Sequence, residues 1–236
     1  MTSSRQSAVI IGAYSGIGGA LADALEQEGQ YATVHRLSRS APGDSHIDLE
    51  DEASIAAAVQ HIAESSGNIG LVLCATGLLH DGDKGPEKAL RDLDHAWLMR
   101  NYAVNAIGPA LLAKHMLPLM PRKERCIFAA ISARVGSISD NRLGGWHGYR
   151  ASKAALNMLI RNIAIEWSRR NERSIAVALH PGTVDTALSQ PFQGNVPPGQ
   201  LFSTDRAAVQ LLDVLDGLRP ADSGRIFAWD GQEISP

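Results

Sequence analysis

A cluster of glycines near the amino terminus constrains the fold of this chain more than any other feature. β-Favouring apolar residues at 8–11 lead into Gly12-x-x-x-Gly16-x-Gly18, and an amphipathic helical pattern follows. In such a turn a backbone approaches a pyrophosphate closely, and the free N–H groups of the helix N-terminus stabilise the anion. The spacing is one residue looser than the common dinucleotide fingerprint, and plain tight turns also contain glycines. The stretch therefore predicts a dinucleotide site that other residues must support.

Short β-like runs alternate with longer helical patterns along the chain. Because strands joined by helices form right-handed crossover units, we expect an α/β fold, a Rossmann-type three-layer domain with a parallel sheet of about seven strands. Residues 1–236 are predicted to form a single domain, since no repeat or linker divides them. The predicted strands are 7–11, 33–37, 71–74, 126–131, 175–179 and 224–228. The predicted helices are 18–28, 52–65, 90–117 (two helices broken near 105–109), 148–171 and 205–217.

The composition is that of an ordinary globular protein. The chain has 236 residues, 44% hydrophobic content and a net charge of −3, with no basic excess that would indicate nucleic-acid binding. No signal peptide and no membrane-spanning segment is expected, so we predict a cytoplasmic protein. Cys74 and Cys126 lie in apolar, strand-like runs typical of reduced, buried thiols. The histidines and cysteines lack metal-site spacing, so we expect no metal.

The end of the second predicted strand indicates which dinucleotide is bound. In a dinucleotide fold, the residue about twenty positions after the glycines meets the adenosine ribose, and an acid there binds the 2′-hydroxyl of NAD. Here Ser38 and Arg39 occupy that place. A guanidinium group favours a 2′-phosphate through charge pairing and forked hydrogen bonds, whereas a plain surface arginine gives the same sequence. With the glycine turn upstream, NADP(H) is favoured and NAD(H) is the alternative.

Asp48-Leu49 is a further candidate for the adenine end of the site. We expect it at the end of a third strand, where a side chain can hydrogen-bond the adenine amine. An aspartate that caps the following helix produces the same pattern. The two interpretations are left open by the sequence.

Tyr149-x-x-x-Lys153 is the most informative short motif for chemistry. The two side chains lie on one face of a predicted helix. A nearby ammonium lowers the pKa of a phenol, so the tyrosine can exchange a proton closer to neutral pH. Reduction of a carbonyl by hydride requires such a proton donor. The spacing is common by chance, and its meaning depends on its place late in a nucleotide-binding fold.

Taken together, the motifs resemble those of the short-chain dehydrogenase/reductase family over nearly the whole chain. The subgroup that fits best contains the C-factor signalling protein and the carbonyl reductase sniffer. The motifs are Gly12-x-x-x-Gly16-x-Gly18, Asn105 in a Val-Asn-Ala-Ile-Gly-Pro run, Ser132 at a strand end, Tyr149-x-x-x-Lys153 and Pro181-Gly182.

The resemblance implies a role for each matching residue. Tyr149 is the general acid in reduction, Lys153 lowers its pKa and holds the nicotinamide ribose, and Asn105 holds a water in a proton relay. Pro181, Gly182 and Val184 present backbone to the nicotinamide carboxamide, with Thr186 nearby. The full set expected to contact the cofactor is Gly12, Tyr14, Ser15, Gly16, Ile17, Gly18, Ser38, Arg39, Asp48, Leu49, Ala75, Gly77, Asn105, Tyr149, Lys153, Pro181, Gly182, Val184 and Thr186.

The chain departs from the family pattern at several positions, and one of them bears on catalysis. The family's catalytic serine stands three residues before a glycine, and here that position is Ala133. Neighbouring strand residues face opposite sides, so Ser132 replaces the hydroxyl only if the strand end is twisted or bulged. Ser137 is a second candidate for the hydroxyl. The third possibility is that neither serine supplies it. The lesser departures are Ile11 for Thr, Cys74-Ala75-Thr76-Gly77 for Asn-Asn-Ala-Gly, and Ser15 for a base.

These residues predict an NADP(H)-dependent oxidoreductase acting on a small carbonyl or secondary alcohol, with a dinucleotide-binding signalling protein as the alternative. A serine hydrolase is excluded, because a Gly-x-Ser-x-Gly elbow is missing at the glycine turn. We expect a partly apolar substrate pocket walled by 78–85, 138–147 and 188–201, the last a loop. The resemblance implies a homodimer or homotetramer. Residues that either form its interface or pack in the core are Leu111, Leu112, Met116, Met158 and Leu159.

Overall fold

A parallel sheet of six strands forms the centre of the computed structural model, which describes residues 5–66 and 68–236. The strands are β1 (Ser7–Ile11), β2 (Val34–Leu37), β3 (Ile69–Cys74), β4 (Cys126–Ile131), β5 (Ser174–His180), β6 (Thr183–Val184), β7 (Leu201–Phe202) and β8 (Ile226–Ala228). The sheet order is β2-β1-β3-β4-β5-β8, and β6 pairs separately with β7. The chain changes direction across the sheet between β1 and β3, and such a point opens a crevice at the carboxyl ends of the strands.

Helices cover both faces of this sheet. They are α1 (Gly16–Glu28), α2 (Glu52–Ser65), α3 (His95–Tyr102), α4 (Gly108–Met116), α5 (His147–Ser168) and α6 (Thr204–Gly217). The side chains of alternate β1 residues pack into different layers, because strand side chains alternate in direction. Val9 and Ile11 pack in the layer with α2, α4 and α5, whereas Ala8 and Ile10 pack in the layer with α1 and α6. The predicted α/β fold with a parallel sheet is confirmed, with six strands in the main sheet rather than about seven.

One detail of the predicted secondary structure is wrong, and the structure refines two others. Within the described part of the chain, Asp48-Leu49 ends no strand: a 3₁₀ turn at Gly43–Ser45 and a single bridge between Ser38 and His46 stand there instead. The predicted break near 105–109 is a π-helical segment, Ala103–Ile107, that joins α3 to α4 without interruption. A short 3₁₀ helix, Gln190–Asn195, orders part of the predicted loop at 189–201.

The apolar residues that were expected either in the core or at an interface between subunits differ in their burial. Leu112 and Met116 are fully buried in the core, and Leu111 and Leu159 pack against it, whereas Met158 is exposed. Cys74 and Cys126 are buried free thiols. In the ranges 5–66 and 68–236, no helix has the length and apolar character needed to cross a bilayer.

Candidate active site

The glycine turn closes tightly at the carboxyl end of β1. Gly12 and Gly16 have φ angles of +84° and +55°, in the left-handed region that favours glycine. A Cβ at Gly18 would lie 2.2 Å from the carbonyl oxygen of Gly12 and 3.2 Å from the Cβ of Ala75. Among the described residues, the Ser15 side chain accepts no hydrogen bond that caps α1, so the first N–H groups of this helix face the turn. This cradle fits a pyrophosphate.

The predicted ribose-binding residues lie beside an ion-pair network that the sequence did not indicate. The Arg39 side chain is 63% exposed, and its guanidinium lies 3.6 Å from a carboxylate oxygen of Glu50. Arg100 lies 3.4 Å from the other oxygen of Glu50 and also pairs with Asp81. The hydrogen bond from Arg100 lowers the pKa of Asp81. Glu50 therefore sits between two guanidinium groups.

Asp48 and Leu49 lie in the loop before α2 and stabilise it. Asp48 accepts a hydrogen bond from the Glu50 N–H at 3.0 Å, and Asp51, not Asp48, caps α2 through the Ala53 N–H at 2.9 Å. Leu49 packs so closely on Gly108 that a Cβ there would lie 2.7 Å from its side chain. The loop is thereby fixed against the start of α4.

Asn105 links the end of β3 to α5. Its amide nitrogen donates to the Leu78 carbonyl at 2.8 Å and to the Ser152 hydroxyl at 3.0 Å, and its oxygen accepts from the Leu78 N–H at 2.8 Å. Ser152 in turn donates to the Tyr149 carbonyl at 2.9 Å. The π-helical segment directs Asn105 into this position, where it is fully buried. Its expected role in holding water stays a prediction.

Tyr149 and Lys153 lie one turn apart on α5, at the same end of the sheet. The Lys153 ammonium is 5.7 Å from the centre of the Tyr149 ring and donates to the Ile131 carbonyl at 2.8 Å. A Cβ at Gly77 would lie 3.7 Å from the Lys153 Nζ and 3.8 Å from the Asn105 Oδ1. The structure therefore brings Gly77, Asn105, Tyr149 and Lys153 together.

The ionisation of this pair differs from the simple expectation. Burial raises the pKa of Tyr149 to about 12 and lowers the pKa of Lys153 to about 8, because both charged forms lose hydration. The direction for the phenol is thus opposite to the lowering that was expected from the ammonium. At neutral pH Tyr149 carries its proton, which is the form that donates.

The candidate hydroxyls near Ala133 are both engaged in local contacts. β4 continues regularly into Ser132, whose N–H donates to the Leu179 carbonyl at 2.7 Å. The Ser132 Oγ donates to the Oδ1 of Asn157 at 2.7 Å. Asn157 follows Tyr149 by two helical turns, or about 12 Å along the axis. The Ser137 Oγ accepts from the Asp140 N–H at 3.1 Å. No local pattern indicated Asn157 as the partner of Ser132.

The segment after β5 approaches the glycine turn from the opposite side. Gly182 has a φ of +77°, and a Cβ there would lie 2.7 Å from the Phe202 ring. Pro181 precedes this turn. Thr186 faces Gly16, since a Cβ at Gly16 would lie 3.4 Å from its methyl group. The side chains that join the two segments in one apolar cluster are Ile17, Val184, Phe202, Ala207 and Trp229.

Most of the chain matches the model of a known protein family. The match covers residues 12–210, and the model is described as enoyl-(acyl carrier protein) reductase. The chain belongs to the short-chain dehydrogenase/reductase family. This confirms the family predicted from the motifs. The residue roles carried over from that family stay predictions for this short-chain dehydrogenase/reductase.

Individual relatives agree with the predicted subgroup. C-signal of Myxococcus xanthus is 36% identical over 146 residues, which are 62% of this chain and 82% of that protein. The 1-hydroxy-2-glutathionyl-2-methyl-3-butene dehydrogenase of Rhodococcus sp. (strain AD45) is 28% identical over 233 residues, 94% of this chain and 96% of that protein. The carbonyl reductase Sniffer of D. melanogaster superposes with a TM-score of 0.81 at 21% identity, covering 98% and 99% of the two chains. The last comparison concerns the fold of this short-chain dehydrogenase/reductase.

Proposed function

We propose that the protein is an NADP(H)-dependent oxidoreductase that reduces a small carbonyl compound or oxidises the corresponding secondary alcohol. The observation that carries this proposal is the convergence of Tyr149, Lys153 and Asn105 on Gly77, beside the glycine turn at Gly12–Gly18. When bound, the nicotinamide dinucleotide supplies or accepts the hydride. The turn fits its pyrophosphate, because the close approach of Gly12 and Gly18 leaves backbone N–H groups facing the anion site.

In this proposal Tyr149 donates the proton that the carbonyl oxygen needs during reduction. Burial keeps the phenol protonated at neutral pH, and the neighbouring Lys153 stabilises the tyrosinate that forms when the proton leaves. Asn105 holds the loop after β3 and, through Ser152, the first turn of α5. These contacts fix the phenol with respect to the glycine turn. At neutral pH the phenol is therefore in the form that reduction requires, whereas oxidation of the alcohol needs its deprotonated form.

The direct test is NADPH oxidation with a panel of aldehydes, ketones and quinones. The expected result is turnover of at least one compound, measured by loss of reduced-nicotinamide absorbance. Tight NADPH binding without turnover of any panel member would contradict the enzymatic proposal and favour the signalling alternative. The family membership and the arranged Tyr149–Lys153 pair support the enzyme.

We propose that Ser132 anchors α5 and does not take part in catalysis. Replacing Ser132 with alanine removes its hydrogen bond to Asn157, which is buried, so a loss of about 1–2 kcal/mol of stability is expected. The value of kcat is expected to change by less than about threefold, whereas loss of a donor to the reacting oxygen costs about 10²–10³-fold. Thermal unfolding and steady-state kinetics measure the two effects. A hundredfold fall in kcat with unchanged stability would show that Ser132 is the missing catalytic hydroxyl.

Arg39 is proposed to select NADP(H) by pairing with the 2′-phosphate. Replacing it with alanine is expected to weaken NADPH binding about tenfold, with little effect on NADH, because one exposed charge-assisted contact is lost. Glu50 competes for the same guanidinium at 3.6 Å, so Glu50→Gln is expected to raise the preference for NADPH. Titration of each variant with both dinucleotides gives the ratio of affinities. An unchanged ratio in Arg39→Ala would contradict the assignment.

Exposed apolar side chains on neighbouring helices support a proposed homodimer or homotetramer. Met158 and Ile165 are exposed and lie two turns apart on one face of α5, and Met99 and Ile107 are exposed on the helix that packs beside it. Apolar residues on the surface of adjacent helices are typical of an interface between subunits. We propose that the protein acts in the cytoplasm, a reducing compartment in which Cys74 and Cys126 stay as free thiols.

A further inference from the structure

Trp146, immediately before α5, has a backbone conformation that tryptophan rarely adopts. Its φ and ψ are 50° and 43°, and within 5–66 and 68–236 it is the sole non-glycine residue with a positive φ. Gly144 and Gly145, just before it, both have φ of +63°. A third glycine would adopt this conformation without strain. A large side chain at such a position indicates that its ring has a function there.

Two charged side chains hold this strained turn in place. The carbonyl of Glu87 accepts from the Trp146 N–H at 2.5 Å, and its buried carboxylate accepts from the Gly148 N–H at 3.0 Å. The Arg150 guanidinium donates to the Gly145 carbonyl at 3.1 Å and to the Val135 carbonyl at 3.2 Å. These contacts fix the backbone of Trp146 and with it the direction in which its side chain leaves the turn.

The Trp146 ring lies between Tyr149 and a loop on the other side of the site. Its centre is 6.3 Å from the Tyr149 ring at an interplanar angle of 75°, and 5.1 Å from the Phe192 ring at 62°. Phe192 is also 6.0 Å from the ring of His80, which hydrogen-bonds the Ala187 carbonyl at 3.0 Å. Tyr149 is only 8% exposed, whereas Trp146 and Phe192 are partly exposed. Trp146 thus contacts the Tyr149 ring, and Phe192 joins Trp146 to His80 in one row of rings.

We propose that Trp146 and Phe192, packed edge-to-face on each other, form an aromatic wall beside Tyr149 that selects carbonyl substrates with a flat, unsaturated ring next to the carbonyl carbon. The inference rests on the proposed role of Tyr149 as proton donor. A carbonyl oxygen hydrogen-bonded to the phenol leaves its substituent against the neighbouring Trp146 ring. Aromatic rings bind other rings edge-to-face or offset, and this pair already shows the edge-to-face geometry. The assigned class is therefore the aryl aldehydes and ketones.

The test compares benzaldehyde with cyclohexanecarbaldehyde, which has a saturated ring of similar size, and with propanal. Trp146→Ala is expected to lower kcat/KM at least about tenfold for benzaldehyde and less than about twofold for propanal. The fall in kcat/KM for cyclohexanecarbaldehyde is expected to be clearly smaller than the fall for benzaldehyde. Trp146→Phe should restore most of the benzaldehyde activity, and Phe192→Ala should reproduce the selective loss.

A matched control and a second variant distinguish substrate selection by the aromatic wall from an effect on folding. Leu90, 73% exposed and outside the site, provides the control Leu90→Ala, for which no change is expected. Trp146→Gly removes the ring but relieves the left-handed strain, so it should fold as well as the wild type and still show the selective loss.

The outcomes distinguish this inference from the proposed function. If the wild type turns over other members of the aldehyde, ketone and quinone panel but not benzaldehyde, this inference fails and the proposed function stands. If it binds NADPH and turns over no panel member, the proposed function fails. If kcat/KM falls equally for all three aldehydes in Trp146→Ala and Trp146→Gly, the ring only supports the structure and the proposed aromatic wall is overturned. An equal loss for the two six-membered rings would overturn the aromatic class, because bulk alone would then explain selection.

Discussion

Replacing Tyr149 with phenylalanine is expected to lower kcat about 10²–10⁴-fold, because it removes the proposed proton donor. The phenyl ring keeps the edge-to-face contact with Trp146 and the burial of the parent side chain, so the fold should be preserved. NADPH affinity should change little, since the glycine turn is untouched. Stopped-flow or steady-state kinetics with a turned-over aldehyde, together with NADPH titration, measure both quantities.

Tyr31 provides a matched control for this substitution. Burial raises its pKa to about 12 as well, but it packs in the layer with α1 and α6, away from Lys153. Tyr31→Phe should therefore leave kcat unchanged. A Tyr149→Phe enzyme that retains more than about a tenth of the wild-type kcat would contradict general acid catalysis by this residue.

Alanine at Gly18 is expected to disrupt the glycine turn and to weaken NADPH binding by about a hundredfold or more. The added Cβ would lie 2.2 Å from the carbonyl oxygen and 2.7 Å from the carbonyl carbon of Gly12, so backbone has to move. Overpacking of this kind costs about 1–3 kcal/mol of stability, and the displaced turn loses its fit to the pyrophosphate. Calorimetric titration with NADPH and thermal unfolding measure the two effects.

The next residue provides the control. A Cβ at Gly19 would lie 3.5 Å from the Ala13 carbonyl oxygen, which is ordinary contact. Because alanine is favoured over glycine within a helix, Gly19→Ala should bind NADPH normally and gain about 0.5–1 kcal/mol of stability. If Gly18→Ala bound NADPH as tightly as Gly19→Ala does, the turn would not be the pyrophosphate site.

Patterns that repeat along the chain allowed the sheet and its helices to be predicted. The runs at 8–11 and Cys126–Ile131 are apolar throughout, because the strands are covered on both faces. The helical repeat likewise located Glu52–Ser65. The glycine turn and the Tyr149–Lys153 pair were found because their spacing itself carries the geometry.

Features that depend on contacts between distant segments were missed. Glu50 faces Arg39 and Glu87 holds Trp146, and neither pairing has a local signal. The sequence showed that the position of the family's catalytic serine is Ala133, with Ser132 next to it. It could not show that Asn157, on another element, binds the Ser132 hydroxyl. The prediction of a third strand ending at Asp48-Leu49 was wrong, because a short apolar run is typical both of a strand and of a loop packed on a helix.

The π-helical segment Ala103–Ile107 sets a length constraint on the chain. One extra residue in a helix rotates everything beyond it by about 100° relative to the preceding turns. That rotation lets Asn101 face α5 while Leu112 and Met116 face the core beside α2. Deleting a single residue here would turn one of these two surfaces towards solvent. Substitutions within Ala103–Ile107 are therefore tolerated more readily than an insertion or a deletion.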